Sequence, residues 1–238
     1  MGNDDLIPKG VHLKNKETAF GYSYETNEKD NSLICGLQKY FTKEQLKKIS
    51  KVNVFIAGCG GLGSNIAESL VRSGFSHLTL LDCDSVDVSN LNRQFYYPDQ
   101  VGMLKTEALA QNLLRLAPEL NLTLLNGRLE DPDDVFKLAV DCDILVEAFD
   151  SSQSKAIFVT GALQTGKPVI SASGICGVSN TNDIVTLQMK DNLFVVGDGE
   201  SDLSEFSPYA PRVRVAANKQ ADLVLELVLN DGNVPEYE

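Results

Sequence analysis

From residue 52 onward the chain alternates short apolar runs with longer segments whose apolar residues recur at helical spacing. Runs at 52–57, 77–82, 121–125, 143–148 and 168–173 are rich in Val, Ile and Leu, as strands buried on both faces are. Strands separated by crossover helices predict an α/β fold with a mostly parallel sheet. Thr42 with Gln45 three residues on is a capping-box signature, and Leu46 and Ile49 then supply a short apolar face. Further helices are predicted over 103–117, ended by Pro118, from Asp131-Pro132-Asp133-Asp134 onward, and over 212–230. Ile184–Leu187 and Leu193–Val196 flank Asp191-Asn192 and read as an antiparallel hairpin. Residues 197–211 carry glycine, proline and acids without a period and read as a loop. Residues 1–36 sustain no period either and read as an N-terminal extension outside the core of a single domain, 37–238.

Charge narrows the choice of ligand. Among 238 residues, 21 Lys and Arg stand against 33 Asp and Glu, a net charge of −12. Such a field repels phosphate backbones and disfavours nucleic acid as a partner, so an anionic ligand needs a local cationic site. No apolar stretch is long enough for a membrane span, and Met1-Gly2-Asn3-Asp4-Asp5 is unlike a secretory signal, so a cytoplasmic location is expected. Leu6 stands where a myristoylation signal wants Ser or Thr. Cys35, Cys59, Cys83, Cys142 and Cys176 are scattered without a Cys-x-x-Cys pair, which predicts neither a disulfide framework nor a structural zinc.

The most informative segment is Gly58-Cys59-Gly60-Gly61-Leu62-Gly63, directly after strand 52–57 and before a helix expected to begin near Ser64. Glycines permit a tight turn and close approach of backbone N–H groups to phosphate, while the helix N-terminus adds roughly half a positive charge. Asp82, 19 residues beyond Gly63 at the end of the next predicted strand, is placed to accept hydrogen bonds from ribose hydroxyls. Together they predict a nucleotide site. Glycines alone would also serve a plain strand-to-helix turn, and Gly58, Gly60 and Gly63 equally satisfy the fingerprint of a nicotinamide or flavin oxidoreductase.

The sequence beyond Asp82 separates these readings. Asp84, Val88-Ser89-Asn90-Leu91-Asn92-Arg93-Gln94, Gly102, Lys105 and later Asp150 follow in order. With the glycine turn they resemble the adenylating domain of ubiquitin-activating enzymes and their bacterial relatives that activate sulfur carriers, over about residues 38–230. Gly197-Asp198-Gly199 and Ala210-Pro211-Arg212-Val213 look most like a compact subgroup of ThiF-type enzymes from thiamine biosynthesis. The resemblance implies a Rossmann-like domain, a homodimer, and ATP-dependent adenylation of the C-terminal glycine of a ubiquitin-like sulfur-carrier protein. It also implies roles for single residues: Asn90, Arg93, Gln94 and Lys105 on the phosphates, Asp82 on ribose, and Asp150 on Mg²⁺. Gly58, Gly60, Gly61, Gly63 and Asp84 complete the expected nucleotide-binding set, and Arg93, Lys105 and Asp150 the catalytic one. The chemistry fits those residue types. A carboxylate attacking a triphosphate meets like-charge repulsion of about 4 kcal/mol per pair at about 4 Å and an effective dielectric of 20, so cations must converge there.

Several positions carry a plainer reading. Asp150, followed by Ser151 and Ser152, would also serve as a helix N-cap, and Arg93 and Lys105 taken singly are ordinary surface charges. No arginine precedes Arg72, where many relatives supply one to the partner subunit, and Lys39 in Gln38-Lys39-Tyr40 occupies the comparable place. The 197–211 loop, expected to cover a carrier's flexible tail, holds no cysteine, so Cys176 and Cys59 are expected to pack, and His12 and His77 to be structural. A threonylcarbamoyladenosine tRNA dehydratase-like enzyme shares the adenylating core, and a nucleotide-binding module without turnover is the remaining alternative.

Overall fold

The computed structural model describes residues 9–13, 32–202 and 204–234. Eight strands form one sheet in the order β1-β4-β3-β2-β5-β6-β8-β7. They are β1 (Lys9–Leu13), β2 (Asn53–Ala57), β3 (His77–Asp82), β4 (Asn121–Asn126), β5 (Ile144–Glu147), β6 (Val169–Ala172), β7 (Val185–Lys190) and β8 (Leu193–Gly197). The six inner strands run parallel, while β1 on β4 and β7 on β8 are antiparallel edges. The helices are α1 (Leu33–Leu37), α2 (Lys43–Ile49), α3 (Gly61–Arg72), α4 (Lys105–Leu116), α5 (Pro132–Leu138), α6 (Ser152–Gln164) and α7 (Ala210–Leu229).

Alternation along the central strands divides the apolar interior in two. Val54, Ile56, Leu78 and Leu80 pack with Ile66, Leu70, Leu109, Leu113, Val213 and Val224 of α3, α4 and α7. Phe55, Ala57, Leu81 and Leu145 face the other way, onto Val135 of α5 and Phe158 and Ala162 of α6. Helices cover both faces of the parallel strands, which is why these strands read as continuous apolar runs. The Rossmann-like α/β prediction is met, with the hairpin extending the main sheet through the parallel pairing of β8 with β6.

Local signals resolve as physics requires. Thr42 and Gln45 form the reciprocal capping box of α2, and the Asp131 carboxylate accepts from the Asp133 N–H at the start of α5. Two elements lie within residues that carried no periodic signal. Lys9–Leu13 pairs antiparallel with β4, from Lys9 opposite Asn126 to Leu13 opposite Leu122, so part of the N-terminal extension is the sheet's edge. An edge strand of five residues is held by ladder hydrogen bonds along one side only, and needs no apolar alternation to form. Ser32 caps α1 by accepting from the Cys35 N–H. The remainder of the extension, residues 1–8 and 14–31, lies outside the described residues.

Candidate active site

The chain winds outward from β2 in both directions, through β3 and β4 on one side and β5 and β6 on the other. In such sheets the crevice outside the C-terminal ends of the strands, where the winding reverses, is where ligands bind. The glycine turn leads there from β2 into α3, Asp82 ends the neighbouring β3, and Asp150 follows β5 on the other side.

Two glycines are sterically required there. Gly58 has φ +98, and a Cβ on it would lie 2.6 Å from the Ala148 carbonyl oxygen at the end of β5. A Cβ on Gly63 would lie 1.7 Å from the Gly58 carbonyl oxygen, so the helix sits directly against the strand end. The helix begins at Gly61, three residues earlier than the sequence suggested, because Gly60 serves as its N-cap. With no side chain capping it, the first-turn N–H groups are left for a ligand.

At the end of β3, Asp82 is buried and fixed from both oxygens: Oδ2 accepts from the Cys59 N–H at 2.7 Å and Oδ1 from the Asp84 N–H at 2.8 Å. Burial pushes its carboxyl up, against the pull of Lys105 and of those two N–H donors. Lys105 opens α4 and donates from Nζ to Asp84 Oδ2 at 2.9 Å. Burial opposes its charge, but the carboxylates of Asp82, Asp84 and Asp150 outweigh that and raise its pKa, so the ammonium stays charged. Asp84 is held below the usual carboxylate range, chiefly by the Lys105 hydrogen bond.

The segment carrying Arg93 and Gln94 lies over the first turn of α3. Asn65 Nδ2 donates to the carbonyls of Gly61 and Arg93, at 2.6 and 2.9 Å, and the Phe95 N–H donates to Ser64 Oγ at 3.0 Å. A Cβ on Gly61 would stand 3.5 Å from Arg93 Nε, so the arginine stem covers the turn. Its guanidinium donates to the Ser89 carbonyl and to Asn92 Oδ1. Gln94 is buried, with its amide Nε2 3.8 Å from where a Cβ on Gly60 would stand, and its Oε1 has no hydrogen-bond partner. Asn90 joins this group through its carbonyl, which accepts from the Arg93 and Gln94 N–H groups at 3.1 and 2.9 Å, while its Oδ1 accepts from the Asp87 N–H and closes a reciprocal cap with Asp87 on the 88–90 turn.

Asp150, on the turn after β5, is exposed, and its charge reaches Lys105. It does not cap α6, because Ser151 does so by accepting from the Ser154 N–H. Asp150 makes no hydrogen bond among the described residues and offers a carboxylate to a hard cation, while ligand atoms of Asp82, Cys83 and Asp84 lie within 4.8 Å of one another as a second such group. A divalent ion bound by one carboxylate and substrate phosphates suits that donor set.

Residues without a sequence signal support the site. Tyr96 donates its hydroxyl to the Cys59 carbonyl at 2.6 Å and lies 3.2 Å from that of Lys105, tying the glycine turn to α4. Glu147, fully buried, accepts from Lys155 Nζ at 2.6 Å, Ser171 Oγ at 2.5 Å and the Phe149 N–H at 2.7 Å. That last bond braces the turn carrying Asp150 and contacting Gly58. In the loop after β8, Asp198 pairs with Arg212 of α7 and accepts from the Glu200 and Ser201 N–H groups. Desolvation opposes its charge, but these donors prevail and hold its pKa down to about 2. The loop walls a cleft of about 610 Å³, lined among others by Cys176, Val178, Glu205 and Phe206. Cys176 and Cys59 are buried thiols pushed up first by that burial. Lys39 is exposed just beyond α1, and its side chain makes no ion pair among the described residues.

Comparison with known proteins agrees with this fold. The chain is 36% identical over 129 residues to the adenylyltransferase and sulfurtransferase UBA4 of Candida glabrata, covering 54% of this chain and 30% of the relative. It is 30% identical over 144 residues to the tRNA threonylcarbamoyladenosine dehydratase of Escherichia coli, covering 60% of this chain and 53% of that protein. Thus it spans about a third to a half of the length of these curated relatives. The crystal structure of E. coli TcdA in complex with ATP superposes with a TM-score of 0.74 at 21% identity, over 83% of this chain and 93% of TcdA. The ThiF family profile matches residues 35–233, from α1 to beyond α7 and through every strand except β1, and the chain belongs to the ThiF family.

Proposed function

We propose that the protein adenylates the C-terminal glycine carboxylate of a small ubiquitin-like sulfur-carrier protein with ATP, releasing pyrophosphate, in thiamine biosynthesis. The observation that carries this reading is an uncapped α3 N-terminus with the Arg93 side chain against Gly61 and Lys105 on Asp84 at the end of the neighbouring strand, in a chain of net charge −12. So acidic a molecule gathers cations beside a glycine turn to bind a polyanion.

The triphosphate lies along the Gly58–Gly63 turn, with first-turn N–H groups, Arg93 and Lys105 donating to its oxygens. Gln94 directs its amide Nε2 to the same turn, where it donates to a phosphate oxygen. Asn90 reaches the phosphates with its amide Nδ2, since its oxygen is engaged locally. Asp82 accepts from ribose hydroxyls, and Asp84 hands Lys105 over from the ion pair to the phosphates. Asp150 would hold a Mg²⁺ ion, which would neutralise phosphate charge when bound. A carboxylate oxygen of the carrier's glycine forms a bond to the α-phosphorus while the bond to the β-phosphate oxygen breaks. The products are the carrier acyl-adenylate and pyrophosphate. Arg93 and Lys105 offset the repulsion between the two anions as they approach. The loop after β8 covers the carrier tail in the cleft beneath it, and a homodimer is the expected assembly. The name of a relative, ubiquitin-like modifier-activating enzyme 5 of Arabidopsis thaliana, supports a ubiquitin-like partner, and that of UBA4 supports adenylyl and sulfur transfer.

The test is pyrophosphate–ATP exchange with Gly-Gly-ended carriers. Exchange that requires both carrier and ATP supports the proposal; ATP binding without exchange would reduce the protein to a nucleotide-binding module. A second reading, dehydration of threonylcarbamoyladenosine on tRNA, is favoured by the 0.74 TM-scores to TcdA. Against it stands the charge of −12, and ATP turnover stimulated by tRNA instead of a carrier would select it.

A further inference from the structure

The geometry points to Arg128 as the residue that holds the nucleotide's base, by stacking its guanidinium on the ring; this rests on the nucleotide reading above. Phosphates at the end of β2 and ribose at Asp82 on β3 fix the direction of the ligand across the sheet. The base, attached to the far side of the ribose, then falls beyond β3, over the end of β4, one strand spacing of about 4.8 Å further out. β4 ends in register with the ribose site: Asn126 pairs with Asp82, and the Gly127 N–H donates to the Asp82 carbonyl at 3.2 Å. Asn126 is engaged there by the Thr106 hydroxyl of α4. Arg128, the next residue but one, is exposed, and its Nε donates to Cys83 Sγ at 3.2 Å. Cys83 lies between Asp82 and Asp84, so this bond draws the arginine stem back over the strand ends that flank the ribose. Among the described residues the guanidinium makes no other hydrogen bond, which leaves its plane open. A planar cation fixed along one edge is suited to stack on a purine, and it needs no apolar pocket to do so.

The test is calorimetric titration of ATP and of inorganic tripolyphosphate, each with Mg²⁺, into the wild-type protein, Arg128→Ala and Arg128→Lys. Stacking predicts that Arg128→Ala weakens ATP binding about three- to tenfold, the size of a partly exposed cation–π contact. Tripolyphosphate binding stays within about twofold, and Arg128→Lys, which keeps the charge but not the plane, remains weaker than wild type for ATP. Equal losses for both ligands, or full rescue by lysine, would make Arg128 a phosphate counter-charge and overturn the inference. Unchanged ATP binding in Arg128→Ala overturns it too while leaving the nucleotide site standing, whereas a wild-type protein that binds neither ligand removes the site and this role together.

Discussion

Gly61 and Gly63 sit two residues apart in one motif, yet the structure gives them opposite tolerances. A Cβ on Gly63 would be 1.7 Å from the Gly58 carbonyl oxygen and 3.1 Å from Ile56 Cγ2, both at the end of β2. Carbon and oxygen cannot approach below about 3 Å, so Gly63→Ala must move α3 off the strand by more than about 1 Å. That displacement unpacks Ile66 and Leu70 from Val54 and Ile56. The helix-propensity gain of about 1 kcal/mol for Gly to Ala does not offset overpacking against backbone of about 3 kcal/mol, and a net loss of about 2 kcal/mol follows. For a chain of 238 residues this lowers Tm by about 4–8 °C. Gly61→Ala would meet Val213 Cγ1 at 3.1 Å and Arg93 Nε at 3.5 Å, side-chain atoms that can shift, and it shares the propensity gain. Its Tm should stay within about 3 °C of wild type. Calorimetric melting of both variants is the assay. A Gly63→Ala protein that melts with wild type, or a Gly61→Ala protein that falls as far as Gly63→Ala, would refute the claim that these glycines differ by what stands opposite them.

Further outcomes follow from the same contacts. Arg93→Ala should slow carrier-dependent pyrophosphate–ATP exchange about 10²- to 10³-fold with little change in Tm, since among the described residues its guanidinium hydrogen-bonds only to the exposed Ser89 and Asn92. Lys155→Met leaves the buried Glu147 carboxylate without its ion pair, and denaturant titration should show a loss of about 3–5 kcal/mol. Asp198 has a depressed folded pKa of about 2, so its ionised form stabilises the native state at neutral pH, and that contribution is lost as pH falls from about 4 through 2. Asp198→Asn should abolish that part of the acid dependence in melts across this window and lower Tm at neutral pH, because the buried Arg212 guanidinium loses its ion pair and keeps the Asn180 carbonyl.

How much of this was legible before the structure depends on whether the signal is local. Strands buried on both faces announce themselves as apolar runs, and the glycine turn announces itself because β2, the turn and α3 are consecutive. Asp82 is legible because one crossover returns the chain beside β2. Side-chain partnerships across elements leave no such trace. Glu147 and Lys155 meet because β5 and α6 pack, and Asp198 meets Arg212 only after the intervening loop folds back. Tyr96 looks like any core aromatic until its hydroxyl is seen on the Cys59 carbonyl. That Asp150 does not cap α6 is visible only with Ser151 in the capping position. β1 was illegible for a different reason: its pairing is carried by main-chain groups, which every residue except proline supplies alike.

The account turns on where a nucleotide binds and what greets its phosphates. A crystal structure of the protein soaked with ATP and Mg²⁺ measures this directly. The prediction is a triphosphate along Gly58–Gly63 with Arg93 and Lys105 within hydrogen-bonding distance of its oxygens and ribose on Asp82. A nucleotide lodged elsewhere, or Arg93 and Lys105 turned away from it with Lys105 still on Asp84, would contradict the account.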